Sequence, residues 1–213
     1  MIEVWVFLFI IVFIRNKFIQ HLEKNNIYLY KQYSVGQLFK HWSIYPSIIS
    51  VIFYLYLEYT MFIENHYFLQ YSYIIKTVTL LSYFPLIYIY NLHENDNSKY
   101  KDDNILKYLT SPMFIATLCI FIGSGLNRIA LFYNNNQMPT YPSITFWTGY
   151  IKPDGFIDGV HTLGNAYSNM VLLCNTWDLG FTVLSPGDII IRFFPYIILY
   201  YSIEISSKKS VTK

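Results

Sequence analysis

The sequence is short of charge and nearly devoid of cysteine. Asp, Glu, Lys and Arg make up 13% of its 213 residues, against a share of about 25% in soluble domains. With 54% apolar and 20% aromatic residues beside so few charges, an ordinary soluble globular protein is excluded. Fifteen basic and thirteen acidic residues leave a net charge of +2, too little for a nucleic-acid partner held by phosphate neutralisation. Cys119 and Cys174 are too few for a disulfide framework and lack the spacing and histidine neighbours of a zinc site. No metal site is expected, and the sequence identifies no cofactor.

What is present is a series of long apolar runs. A helix rises about 1.5 Å per residue and a bilayer core is about 30 Å thick, so roughly twenty residues make a span. Runs of that kind are expected to cross at about residues 2–19, 44–63, 67–90, 112–133 and 189–206. The first is interrupted by Arg15 and Lys17, whose side chains can snorkel to the headgroups while Phe18 and Ile19 extend the buried stretch. A cleaved signal peptide fits less well, because only Glu3 is charged ahead of that run and no small-residue cleavage site follows.

Lysine and arginine set the orientation. Arg15, Lys17, Lys24, Lys31 and Lys40 lie between the first two spans, Lys99, Lys101 and Lys107 between the third and fourth, and Lys208, Lys209 and Lys213 after the fifth. The stretch from Asn134 to Asp188 holds only Lys152. The expected fold is therefore an all-α, multi-pass integral protein of the cell membrane. Residues 1–213 form one membrane domain with the N-terminus outside, the C-terminus cytoplasmic, and residues 134–188 as an extracytoplasmic cap. Trp5, Trp42 and tyrosines near span ends, such as Tyr67, Tyr90 and Tyr133, suit aromatic belts.

The cap carries Phe146, Trp147, Phe156, Trp177 and the run from Met170 to Leu173, so it is expected to be compact rather than disordered. Short helices are expected at Ser143 to about Gly149 and at Gly164 to Cys174, with turns at Pro153-Asp154-Gly155 and Ser185-Pro186-Gly187-Asp188. The stretch Asn91 to Asn104 reads as a solvated cytoplasmic linker.

Ionisable groups within a span cost on the order of 2.5 to 3.5 kcal/mol each, so Glu58, Lys76, Arg128 and Arg192 are functional candidates. With Asn127 they are expected in the outer half, where they suggest a polar cavity beneath the cap. Structural alternatives stand beside that reading. Glu58 and Lys76 can pair to orient a hairpin, and Arg192 lies four residues after Asp188, the spacing of an intrahelical pair. Asp188 can cap the last helix, and Asp178 can bond its own backbone in a turn. His161 is the one histidine of the cap and, with Asp178 and Asp188, only a weak metal candidate. Cys119 reads as an apolar filler and Cys174 as a free thiol.

Five pieces in order, Gly125-Leu126-Asn127, Asn134-Asn135-Asn136-Gln137-Met138-Pro139, His161, Trp177-Asp178-Leu179-Gly180 and Ser185-Pro186-Gly187-Asp188, carry a resemblance. From about residue 123 onward the chain resembles an uncharacterised family of small bacterial multi-spanning membrane proteins, domain of unknown function 5317. That family has a span ending in Asn, an Asn-Gly-Gly-Arg-Met-Pro motif, a downstream His, a Gly-Asp pair and a Ser-x-Gly-Asp turn. The resemblance implies motif roles for Asn127, Asn134, Met138, Pro139, His161, Asp178, Ser185, Gly187 and Asp188. Here Asn135 and Asn136 stand where the family has glycines, and asparagine tolerates left-handed backbone better than other non-glycine residues. Gln137 replaces the family's arginine, and the Gly-Asp element is reordered around Asp178.

The resemblance implies an architecture and an outer-face site but no reaction. The leading expectation is a membrane protein that binds a lipid headgroup, peptide or other polar ligand at Glu58, Lys76, Asn127, Arg128, Asn134, His161, Asp178 and Asp188. A noncatalytic subunit or scaffold that packs against a protein partner is an alternative. An extracytoplasmic-facing hydrolase using His161, Asp178 and Asp188 is another.

Overall fold

The computed structural model describes residues 2–24, 33, 35–62, 71–87, 111–149, 151 and 160–209. The expected Pro153-Asp154-Gly155 turn and the whole Asn91 to Asn104 linker lie outside these residues. The described chain is mostly helical, with long helices at Ile2–Lys24, Tyr45–Phe62, Pro112–Tyr133 and Pro186–Lys209 and a shorter one at Ser72–Leu81. Three stretches, Glu3–His21, Pro112–Tyr133 and Pro186–Ser207, are long and apolar enough to cross a membrane.

Where one uninterrupted span was expected from Tyr67 to Tyr90, the helix stops at Leu81 and the chain turns through Ser82 and Tyr83 into a 3-10 turn at Phe84–Leu86. Pro85 explains the stop. It has no N–H to continue the ladder, and its ring would collide with the carbonyl four residues back, that of Leu81.

The chain divides into two compact units. One comprises Met1–Tyr54, Lys76–Ala116 and Pro195–Lys213. Its core includes Leu8, Leu38, Ile44, Tyr83, Leu86, Ile198, Leu199 and Ile203, all nearly or fully removed from solvent. Trp5 Nε1 donates to the Tyr83 hydroxyl at 2.9 Å, satisfying the polar ends of two buried aromatics. Asn16 grips the backbone of Tyr33 from both sides, its Nδ2 donating to the carbonyl at 2.7 Å and its Oδ1 accepting the N–H at 2.8 Å. The Arg15 guanidinium lies 3.3 Å from the centre of the Tyr33 ring, close enough for a cation–π contact.

The other unit comprises Leu55–Ile75 and Thr117–Phe194. The described residues between Asn134 and Asp188 form very short elements. Strands β1 (Met138–Thr140) and β2 (His161–Leu163) pair in parallel, Met138 opposite His161 and Thr140 opposite Leu163. Strands β3 (Trp177–Asp178) and β4 (Val183–Leu184) form an antiparallel ribbon. A four-residue helix at Ile144–Trp147 falls within the expected segment. The expected helix from Gly164 to Cys174 does not form. Strand β2 ends at Leu163, Gly164 is packed against the Tyr141 ring, and only Val171–Leu173 makes a 3-10 turn, entered through Met170 in the left-handed region. Asn165 accounts for the difference, since its Oδ1 accepts the Tyr167 N–H at 2.8 Å in a turn that competes with helix. Ala130, Met138 and Cys174 form a small buried cluster with Leu131, Tyr141 and Leu173.

Candidate functional site

Asn127, Asn134, Asp178, Ser185, Gly187 and Asp188 gather into three polar knots, all within the second unit. The first joins the Pro112–Tyr133 and Pro186–Lys209 helices. Ser185 and Asp188 form a reciprocal capping box: the Asp188 N–H donates to Ser185 Oγ at 2.9 Å and the Ser185 N–H to Asp188 Oδ2 at 3.1 Å. Pro186, at the first helical position, has no N–H to leave orphaned. Asn127 then reaches across from the Pro112–Tyr133 helix. Its Nδ2 donates to Asp188 Oδ1 at 2.8 Å and its Oδ1 accepts the Ser185 hydroxyl at 2.7 Å. Two glycines make this reach possible. A Cβ on Gly187 would strike Asn127 and the Gly123 carbonyl, and one on Gly123 would strike the Gly187 carbonyl and Ile191. Arg192 meets the same turn, its Nη1 donating to the Asp188 carbonyl at 3.2 Å.

The second knot closes the end of the Pro112–Tyr133 helix. Asn135 and Asn136 have φ of 56° and 60°, the left-handed conformation anticipated from their place in the motif. The Asn136 N–H returns to the Leu131 carbonyl at 2.8 Å, the long bond of a Schellman cap. Asn134 Nδ2 donates to the carbonyls of Ala130 and Asn169, at 2.8 and 2.9 Å, while its Oδ1 accepts the Asn169 N–H at 2.8 Å. Asn169 in turn donates to the Tyr133 carbonyl at 3.1 Å. Otherwise unpaired carbonyls of the last helical turn are thereby satisfied.

The third knot is centred on Asp178. Its Oδ2 accepts the N–H groups of Ser143 and Thr145, at 2.6 and 2.9 Å, and both their hydroxyls, while Oδ1 accepts the Gly180 N–H at 2.8 Å. The last contact is the turn bond expected of this residue. Burial pushes the Asp178 pKa up, but the hydrogen bonds from Thr145, Ser143 and Gly180 outweigh it and bring it from 3.8 to about 2. Thr148 closes the knot by donating its hydroxyl to the Gly180 carbonyl.

Residues 104–200 match the model of a family of unknown function, DUF5317. The resemblance drawn from the motifs is borne out, and the matched stretch begins before the first of them and ends within the last helix. No curated protein and no solved structure matches the chain. Within the matched stretch, Asn127, Ser185, Gly187 and Asp188 meet in one knot, Asn134 anchors the second and Asp178 the third. Met138 is buried in the cluster with Ala130 and Cys174, and His161 lies opposite it on β2.

None of the hydrogen bonds that build these knots involves Arg128, Glu58 or Lys76. Arg128, one residue past Asn127, is exposed on a different face of its helix. Glu58 is half-buried and belongs to the second unit, whereas Lys76 is exposed and belongs to the first. Among the described residues, no group of three or more His, Cys, Asp or Glu side chains is placed to hold a metal ion. Asn169, Ser143 and Thr145 were not among the candidates. Their roles depend on partners 33 to 35 residues away, a distance at which no local spacing rule operates.

Proposed function

We propose that the chain is a multi-pass cell-membrane protein acting as a noncatalytic scaffold, with residues 134–188 as an outward-facing cap that receives a protein partner. The proposed topology keeps five spans, the N-terminus outside and the C-terminus in the cytoplasm. The three apolar helices and the clustering of lysines in alternate connecting segments support it. One observation carries the scaffold reading: Asn127, Asn134, Asp178, Ser185 and Asp188 are spent on one another, on neighbouring hydroxyls and on backbone, while several large apolar and aromatic side chains of residues 134–188 lie exposed. Trp147 is 93% exposed, Tyr167 91% and Leu172 86%. Asp178, held as a carboxylate by five donor groups, is a poor proton donor at neutral pH. Exposed Trp and Tyr suit a protein partner, because such residues anchor interfaces.

The test is photo-crosslinking from positions 147 and 172 of the full chain in its own membrane. A discrete protein adduct from both positions is expected, and it should vanish from position 172 when Trp147→Ser is added. Adducts with lipid alone, or a hydrolytic activity abolished by Asp178→Asn, would overturn the reading. The topology is checked separately with Tyr167→Cys in a chain lacking the native cysteines. Labelling by an impermeant maleimide from outside intact cells supports it, and labelling only after lysis counts against it.

A further inference from the structure

We infer that Arg128 is a binding site for the phosphate of a membrane phospholipid headgroup. The inference rests on reading Pro112–Tyr133 as a membrane span and goes beyond it by assigning that span a ligand. Arg128 shares its helix face with Ser124 and Gly125 one turn before, Phe121 two turns before and Phe132 one turn after, all of them exposed. Other faces of the helix carry Gly123, Asn127 and Ala130, which are packed or engaged in the helix-to-helix knot. Arg128 is therefore exposed on a face away from the helix-to-helix knot, and among the described residues it has no hydrogen-bond or ion-pair partner.

A guanidinium stays charged at any accessible pH, so on a lipid-facing surface it must find an anion or water. Arg128 lies five residues before the helix's last residue, about 7.5 Å below it at 1.5 Å per residue, a depth an extended arginine can climb. The anion it meets at that level is a lipid phosphate, which its planar fork can grip through two parallel hydrogen bonds. Below it, a Cβ on Gly125 would meet nothing within 4 Å, leaving room against the helix for the first carbons of the lipid chains. A second copy of the chain fits less well. Two-fold pairing through this face would set Arg128 against Ser124, Gly125, Phe132 or another Arg128, with no carboxylate among them.

The experiment is native mass spectrometry of the full chain in mild detergent, titrated with phosphatidylglycerol, with phosphatidylcholine or with inorganic phosphate alone. Wild type should bind its first phosphatidylglycerol about tenfold more tightly than Arg128→Gln, with Arg128→Lys between them. Phosphatidylcholine should show the same order. Equal lipid retention by Arg128→Gln would overturn the inference. So would binding of inorganic phosphate that displaces the lipid, or a dimer that depends on Arg128. Alkaline carbonate extraction of the same variants tests the span itself. Release of wild type into the soluble fraction would sink the membrane reading, whereas retention of both proteins with equal lipid binding sinks only the Arg128 site.

Discussion

Ser185 and Asp188 cap one another across the first turn of the last long helix, Ser185 accepting the Asp188 backbone N–H at 2.9 Å and Asp188 that of Ser185 at 3.1 Å. A capping box satisfies two orphan donors by itself. Here it has a second use, because it presents Ser185 Oγ and Asp188 Oδ1 in the register that one asparagine amide can bridge. The carboxamide of Asn127 supplies a donor and an acceptor in one plane, so its identity follows from the geometry of its two partners.

Asn127→Leu should therefore destabilise more than loss of one bond suggests. It leaves the Ser185 hydroxyl and Asp188 Oδ1 facing an apolar side chain, at a cost of about 1 to 3 kcal/mol for the stranded groups. Asn127→Asp should be worse, since a carboxylate can accept from Ser185 but repels that of Asp188. Thermal unfolding in detergent reads both against the wild-type midpoint. An unaltered midpoint for Asn127→Leu would show that the knot adds nothing to stability.

The glycines separate sharply by position. Gly123→Ala and Gly187→Ala each drive a methyl into backbone of the facing helix, which must then move, and overpacking of that kind costs about 1 to 3 kcal/mol. Gly125→Ala meets open space and should stabilise by up to about 1 kcal/mol, the helix-propensity difference. If all three alanines behaved alike in the same unfolding assay, the close approach of these helices would be refuted.

The Asn135-Asn136 turn was legible through the resemblance, since the two residues stand where the family has glycines and asparagine tolerates left-handed backbone. The Pro112–Tyr133 helix was legible from the sequence itself, its boundaries falling where the apolar run starts and stops. Strands β1 to β4 were not. Two or three residues carry no alternation to detect, and Met138 meets His161 only through the tertiary fold. Asp178 was half legible. Its bond to the Gly180 N–H is local, whereas its grip on Ser143 and Thr145 spans more than thirty residues.

Substitutions at that turn should be asymmetric. Asn136→Gly relieves the mild strain of a φ of 60° and should leave stability unchanged or slightly raised. Asn136→Val forces a β-branched side chain into the left-handed region and should cost about 1 to 2 kcal/mol. Equal unfolding midpoints for the glycine and valine variants would contradict the left-handed assignment.

Asp178 gives the cap a defined response to acid. Its hydrogen bonds favour the carboxylate, so the native state binds a proton less readily than the unfolded chain, with a pKa of about 2 against 3.8. A depressed carboxylate contributes stability that is complete above about 3.8 and is lost as pH falls through about 2. Asp178→Ala removes an acceptor shared by five donor groups, and at neutral pH it should cost about 0.5 to 2 kcal/mol, as loss of a helix-capping side chain does. The gap between wild type and variant should then narrow from pH 4 downward, because wild type surrenders what the variant never had. Reactivity of the buried Cys174 thiol toward maleimide after brief incubation at each pH, followed by return to pH 7, reports opening of the cap directly. A wild-type protein whose advantage over Asp178→Ala persists undiminished at pH 2 would show that the carboxylate is not what holds the Ser143 and Thr145 backbone in place.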